Sequence, residues 1–161
     1  PRTVGKDVDS FVQRAILKDR DVPISCQECD LALASLGEVN LKGSDLLRVN
    51  FSGADLSEAD LSGADLVGAS FWWANLKGAS LVGANLTEID LEEASLQGAD
   101  LSGADLSGAK LTKSNLFKAN LTIITKYFYS IFFCFIKCNF IIFIYIISNF
   151  KFVTILSLYQ I

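Results

Sequence analysis

The chain of 161 residues contains no histidine and no methionine. Without histidine it lacks the usual general base, the commonest metal ligand and the side chain that ordinarily titrates near neutrality. Cations are also in the minority, 14 Lys and Arg against 18 Asp and Glu. That balance gives no reason to expect direct nucleic-acid binding. Residues 1–28 hold no apolar run of secretory-signal length. A chain that starts at Pro1 is expected to be a fragment or a processed product. Its length suits about one domain.

What is present falls into three segments. In residues 1–28, Val8, Phe11, Val12, Ala15 and Ile16 recur at helical spacing and predict one short amphipathic helix. Asp9 or Ser10 caps its start, and Ser10 with Gln13 has capping-box spacing. Pro23 ends it, because the residue before proline avoids the helical region. A lone short helix must bury its apolar stripe. The open end of whatever follows is the expected place, so the helix is expected to act as an amino-terminal cap.

The second segment, residues 29–123, repeats. Leu or Phe stands at every fifth position from Leu31 to Leu121, nineteen times without a break. Two residues before each stands a small residue, most often Ala, and between them a short polar one, usually Asp, Asn or Ser. A helix asks for 3.6 and a strand for 2, so a fixed period of five marks a solenoid. Residues two apart on an extended segment point the same way, so each Leu and its Ala face a common interior. The two residues that follow must turn the chain, and Gly at such a corner accepts a positive φ without steric cost. Phe51 and Phe71 are twenty residues apart, as are Gly43, Gly63, Gly83 and Gly103 in succession. Both sets line up under a period of twenty and would scatter under one of fifteen.

The third segment, residues 124–161, changes style. From Thr122 onward the chain is crowded with Ile, Phe and Tyr, while Ala, Gly, Pro, Arg, Asp and Glu vanish. Two readings stand. The favoured amino acids have AT-rich codons, as in translated non-coding sequence. The alternative is a membrane or interfacial segment. Lys126, Lys137 and Lys151 divide it into uncharged runs of ten and thirteen, short of the roughly twenty a span needs.

The repeat units ANLKG, ASLVG, ANLTE and ADLSG resemble the pentapeptide-repeat family, whose pattern is A(D/N)LXX. The resemblance implies an all-β solenoid, a right-handed quadrilateral β-helix of nearly five coils. With no decisive site on such a rod, a non-catalytic protein-interaction scaffold is the first expected role. Some bacterial members mimic duplex DNA and occupy a type II topoisomerase, and some eukaryotic members carry the rod behind an adaptor domain. The column Asp45, Asp65, Asn85 and Asp105 is the candidate for mimicry. Set against that, Asp and Asn at this position serve the corner backbone in any member.

Trp72 and Trp73 occupy the two outward positions after Phe71 and are the candidate partner-binding residues. The competing reading packs one of them on a neighbouring coil, on the amino-terminal segment or on the tail. Cys26 and Cys29 fall at inward positions, and three readings stand: core packing, a disulfide in an oxidising compartment, or metal or redox chemistry. Cys pairs before the first repeat in cyanobacterial and chloroplast-lumen members add weight to the disulfide. No catalytic constellation and no cofactor site emerges: Ser is frequent but no base accompanies it. The expected partner is an unidentified protein. The expected location is a cytoplasm or organellar lumen, or a membrane surface if the tail anchors the rod.

Overall fold

The computed structural model describes residues 23–122. The expected helix near Val8 to Lys18 and the tail from residue 124 lie outside the described residues.

Within them the chain winds as a four-sided coil of twenty residues per turn. Sixteen parallel bridges join residues twenty apart, from Ser25↔Asp45 to Asp100↔Asn120. The ladder already holds Ser25, so the coil includes the Cys26–Cys29 turn and starts upstream of the residue-29 boundary expected from the period. Among the described residues no helix is long and apolar enough to cross a membrane.

The five-residue unit is explained by the destination of its five N–H groups. An unpaired buried amide is costly, so each group needs a partner. Leu56 shows the pattern. Its N–H donates to the Asn75 carbonyl of the next coil at 2.8 Å, and the Glu58 N–H donates to the Lys77 carbonyl at 2.9 Å. The Ala59 N–H closes the turn onto the Leu56 carbonyl at 3.1 Å, and the Asp60 N–H reaches back to the Val39 carbonyl at 2.9 Å. One amide is left, that of Ser57. It donates to Asp55 Oδ1 at 3.1 Å, in a side-chain turn that only a short acceptor can make. The same bond recurs from Ala32→Asp30 to Thr122→Asn120, thirteen times among the described residues. This is the physical reason for Asp or Asn before Leu.

The corner conformation is also uniform. The second turn residue of every unit from Glu28 to Lys118 has a positive φ, the conformation a type II turn requires there. Glycine fills nine of these positions, and ten carry side chains, including Leu33, Arg48 and Trp73. The sequence pointed to Gly at such corners. The fold holds the left-handed conformation in every unit, because ladder bonds on both sides of the corner fix it.

The interior is a stack of Leu side chains with smaller ones beside them. From Leu41 to Leu101 the central residues are at most 1% exposed. Phe51 and Phe71 stack in one column with ring centroids 5.0 Å apart and planes tilted by 44°. Burying each such side chain contributes roughly 1.5–3 kcal/mol. The narrower stack beside them holds Ala in most units, with Val39, Val49 and Ile89 as its largest members.

Candidate functional site

With the interior filled, the described residues offer a partner their outer faces. One corner stands out. Its two outward columns read Ala32, Ser52, Trp72, Glu92, Thr112 and Leu33, Gly53, Trp73, Glu93, Lys113. Trp72 is 49% exposed, Trp73 62% and Leu33 72%. The two indole rings lie 6.5 Å apart at 45°. The backbone beneath them is fixed: the Trp73 N–H donates to the Glu92 carbonyl and the Gly53 N–H to the Trp72 carbonyl, both at 2.9 Å.

Gly53 shapes this surface. A Cβ placed there would stand 2.7 Å from Leu33 Cδ2 and 3.3 Å from Trp73 Cε3. The side chains of the coils on either side therefore lean over the glycine from opposite directions. Leu33, Trp72 and Trp73 form one exposed apolar ridge. Leu33 was not found from the sequence. The twenty-residue period could have found it, because 33, 53 and 73 share a column. Val82 and Phe117 are the other large exposed apolar residues described, and they lie on other corners. The Trp73 ring lies partly over Gly53 of the preceding coil, as the competing reading allowed, and Trp73 keeps 62% of its surface exposed.

Carboxylates border the ridge. Lys113 Nζ holds Glu93 Oε1 at 2.9 Å, and that bond together with the charge of Glu93 raises the Lys113 pKa. Glu92 makes no ion pair among the described residues. On the next face Asp55 accepts from the Ser57 side chain and backbone, and these bonds hold its carboxyl below the usual value. At Asp100 burial pushes the carboxyl up, but hydrogen bonds from Ser102 and Asn120 outweigh it and lower the pKa.

The acidic column serves the fold. Asp65, Asn85 and Asp105 each accept the N–H two residues on, and the Asn85 amide donates to Asp65 Oδ1 at 3.3 Å. Cys26 and Cys29 are joined as a disulfide across the first turn, with Cα atoms 5.5 Å apart. Their sulfurs are bonded to each other, so neither is a thiolate ligand for a metal.

The family model for pentapeptide repeats matches residues 24–63, 34–72, 54–92 and 84–122. No curated protein matches the chain. Among solved structures, HetL from the cyanobacterium Nostoc sp. strain PCC 7120, a pentapeptide repeat protein involved in heterocyst differentiation regulation, is 37% identical with a TM-score of 0.59. The match covers 63% of this chain and 48% of HetL, so the chain spans about half the length of that relative. Rfr23, a pentapeptide repeat protein from the cyanobacterium Cyanothece 51142, is 34% identical with a TM-score of 0.52 over 63% of this chain and 67% of its own. The matched repeats run through nearly all of the twenty-residue coils described above, and the chain belongs to the pentapeptide repeat family.

Proposed function

We propose that this chain is a non-catalytic scaffold that binds a protein partner through the Trp72–Trp73 corner. The observation that carries the reading is the exposure of two adjacent indoles, 49% and 62%, on a rigid ladder. Large aromatic side chains dominate binding energy when a partner covers them, and a rigid base spares them ordering cost. Leu33, in the column of Trp73, enlarges the same ridge. The non-catalytic part rests on chemistry: no histidine is present, and the Asp and Asn side chains of the faces are engaged with backbone amides. In the acidic column Asp65, Asn85 and Asp105 are engaged in the same way, and Asp45 accepts from Ser25 and Gln27, so these residues have a structural role without any DNA mimicry. HetL, involved in regulation rather than named for a reaction, is in keeping with a binding role.

The test is site-directed photocrosslinking in cells. A photoreactive residue at Ser52, beside the indoles, should give a discrete cross-linked protein, and Trp72→Ser with Trp73→Gly should abolish it. The same residue at Val82, on another corner, should give none. Equal products from both positions would overturn the reading.

A further inference from the structure

The kind of segment the corner accepts, which rests on the scaffold reading, follows from the chemistry around the indoles. We infer that it takes a partner segment bearing a lysine or arginine beside an apolar side chain.

Three observations converge on that chemistry. First, the indoles present tilted faces, and tryptophan is the aromatic ring that attracts cations best. Second, the coil immediately following places Glu92 and Glu93 in the same two columns, with the Glu92 carbonyl hydrogen-bonded to Trp73. Glu93 holds Lys113 at 2.9 Å, and the charge of Glu92 also acts on Lys113 from beyond ion-pair distance, so two carboxylates share one cation here. A cation lying on the Trp faces is therefore within one coil spacing, about 4.8 Å, of a carboxylate column. Third, the rod as a whole is short of cations. Residues 23–122 carry fourteen carboxylates and six Lys or Arg. Three of those six, Arg48, Lys110 and Lys113, are paired with Glu28, Asp90 and Glu93. The field at the corner is negative, so it steers basic segments in and turns acidic ones away. The apolar half of the requirement comes from Leu33, whose methyl group leans over Gly53 toward Trp73. An anionic membrane surface fails the same charge test.

Trp72 and Trp73 are the two tryptophans of the chain, so intrinsic fluorescence reports this corner alone. The immobilised full chain would be used to select binders from a displayed library of random heptapeptides. The best binders would then be titrated by fluorescence. The expected binders carry Lys or Arg next to Leu, Ile or Phe. Replacing their cation with Gln should weaken binding by about tenfold, the order of a desolvated cation–aromatic contact. Glu92→Gln with Glu93→Gln should weaken it by about fivefold and flatten its salt dependence. Trp72→Ser with Trp73→Gly should abolish it. Neutral or acidic peptides that still need both tryptophans would overturn the inference and leave the scaffold reading standing. Binders indifferent to the tryptophans would overturn both. Self-association of the chain that the tryptophan variant abolishes would also overturn the inference, by filling the corner with a second copy. A selection that yields no binder would overturn it too.

Discussion

Leu33 and Trp73, forty residues apart in the chain, lean over Gly53 from the coils on either side, with Leu33 Cδ2 2.7 Å and Trp73 Cε3 3.3 Å from where a Cβ would stand. Glycine at this position meets two demands at once. Its φ of +65° is the left-handed region, and its missing side chain leaves room for the ridge to close. Gly53→Ala should therefore cost more than the corner conformation alone. Gly63 and Gly83 have nearly the same φ but nothing within 4 Å of an added Cβ. Gly63→Ala and Gly83→Ala should cost about 1 kcal/mol. Gly53→Ala should cost about 2 kcal/mol and shift the Trp emission maximum. Urea unfolding followed by fluorescence checks both. Equal costs at the three sites would mean that Leu33 and Trp73 swing aside freely.

Trp73 allows a separation of folding from binding. Its φ of 58° is a conformation that a bulky side chain rarely adopts, and nine equivalent corners use glycine. Trp73→Gly should leave the unfolding midpoint unchanged or raise stability by up to about 1 kcal/mol. It should weaken partner binding in the same sample. A residue kept for packing would behave in the opposite way, so a loss above about 1 kcal/mol would remove the case for Trp73 as a contact residue.

The contrast between Leu and Trp positions also shows what was legible in the sequence. The period of five was enough to give a solenoid with Leu inside, the family resemblance implied its four-sided coil, and the twenty-residue spacing of Phe51 and Phe71 supported the columns, because each unit repeats the same backbone bonds. The role of Asp and Asn at the corner was legible too, since an acceptor two residues before a turn amide is a local relationship. Leu33 was not found as a surface residue, because its own unit, LALAS, reads as core-rich and only the column reveals its neighbours. The disulfide stood among three readings, because spacing alone does not distinguish a bonded Cys26–Cys29 turn from packed thiols. The left-handed corners at Arg48, Glu58 and Trp73 were hidden for a different reason: the ladder imposes them against residue preference.

Phe51 and Phe71 test whether the columns are energetic units. Their rings are fully buried and stack at 5.0 Å, and Leu31 and Leu91 continue the same column on either side. Phe51→Ala should cost about 3–5 kcal/mol, since the narrow interior cannot collapse without breaking ladder bonds. Phe51→Leu restores the side chain used in most other units and should cost less than about 1.5 kcal/mol. A double-mutant cycle of Phe51→Leu and Phe71→Leu should return a coupling of about 0.5–1.5 kcal/mol from the ring pair. A coupling near zero would mean that the rings fill volume and nothing more.

Acid should loosen the rod through its corner carboxylates. Asp55 has a folded pKa lowered from the ordinary 3.8, mainly because Ser57 donates to its charged form, with Asn75 Nδ2 adding a bond at 2.9 Å. The unfolded chain has no such donors and titrates near the ordinary value. On acidification the unfolded state binds the proton first, so the stabilisation is present above about pH 4 and is lost as pH falls through the lower folded value. Asp100 acts in the same direction. Asp55→Asn keeps an oxygen acceptor for the Ser57 amide but cannot titrate. It should cost less than about 1 kcal/mol at neutral pH, and the gap to the unaltered chain should close well below the ordinary carboxylate range. Asp55→Ala removes the acceptor altogether and should remain less stable at both extremes, because a protonated Asp55 still accepts a bond. Urea midpoints taken across that range check the prediction. If the unaltered chain and Asp55→Asn lost stability in parallel on acidification, Asp55 would not be among the groups that drive acid unfolding.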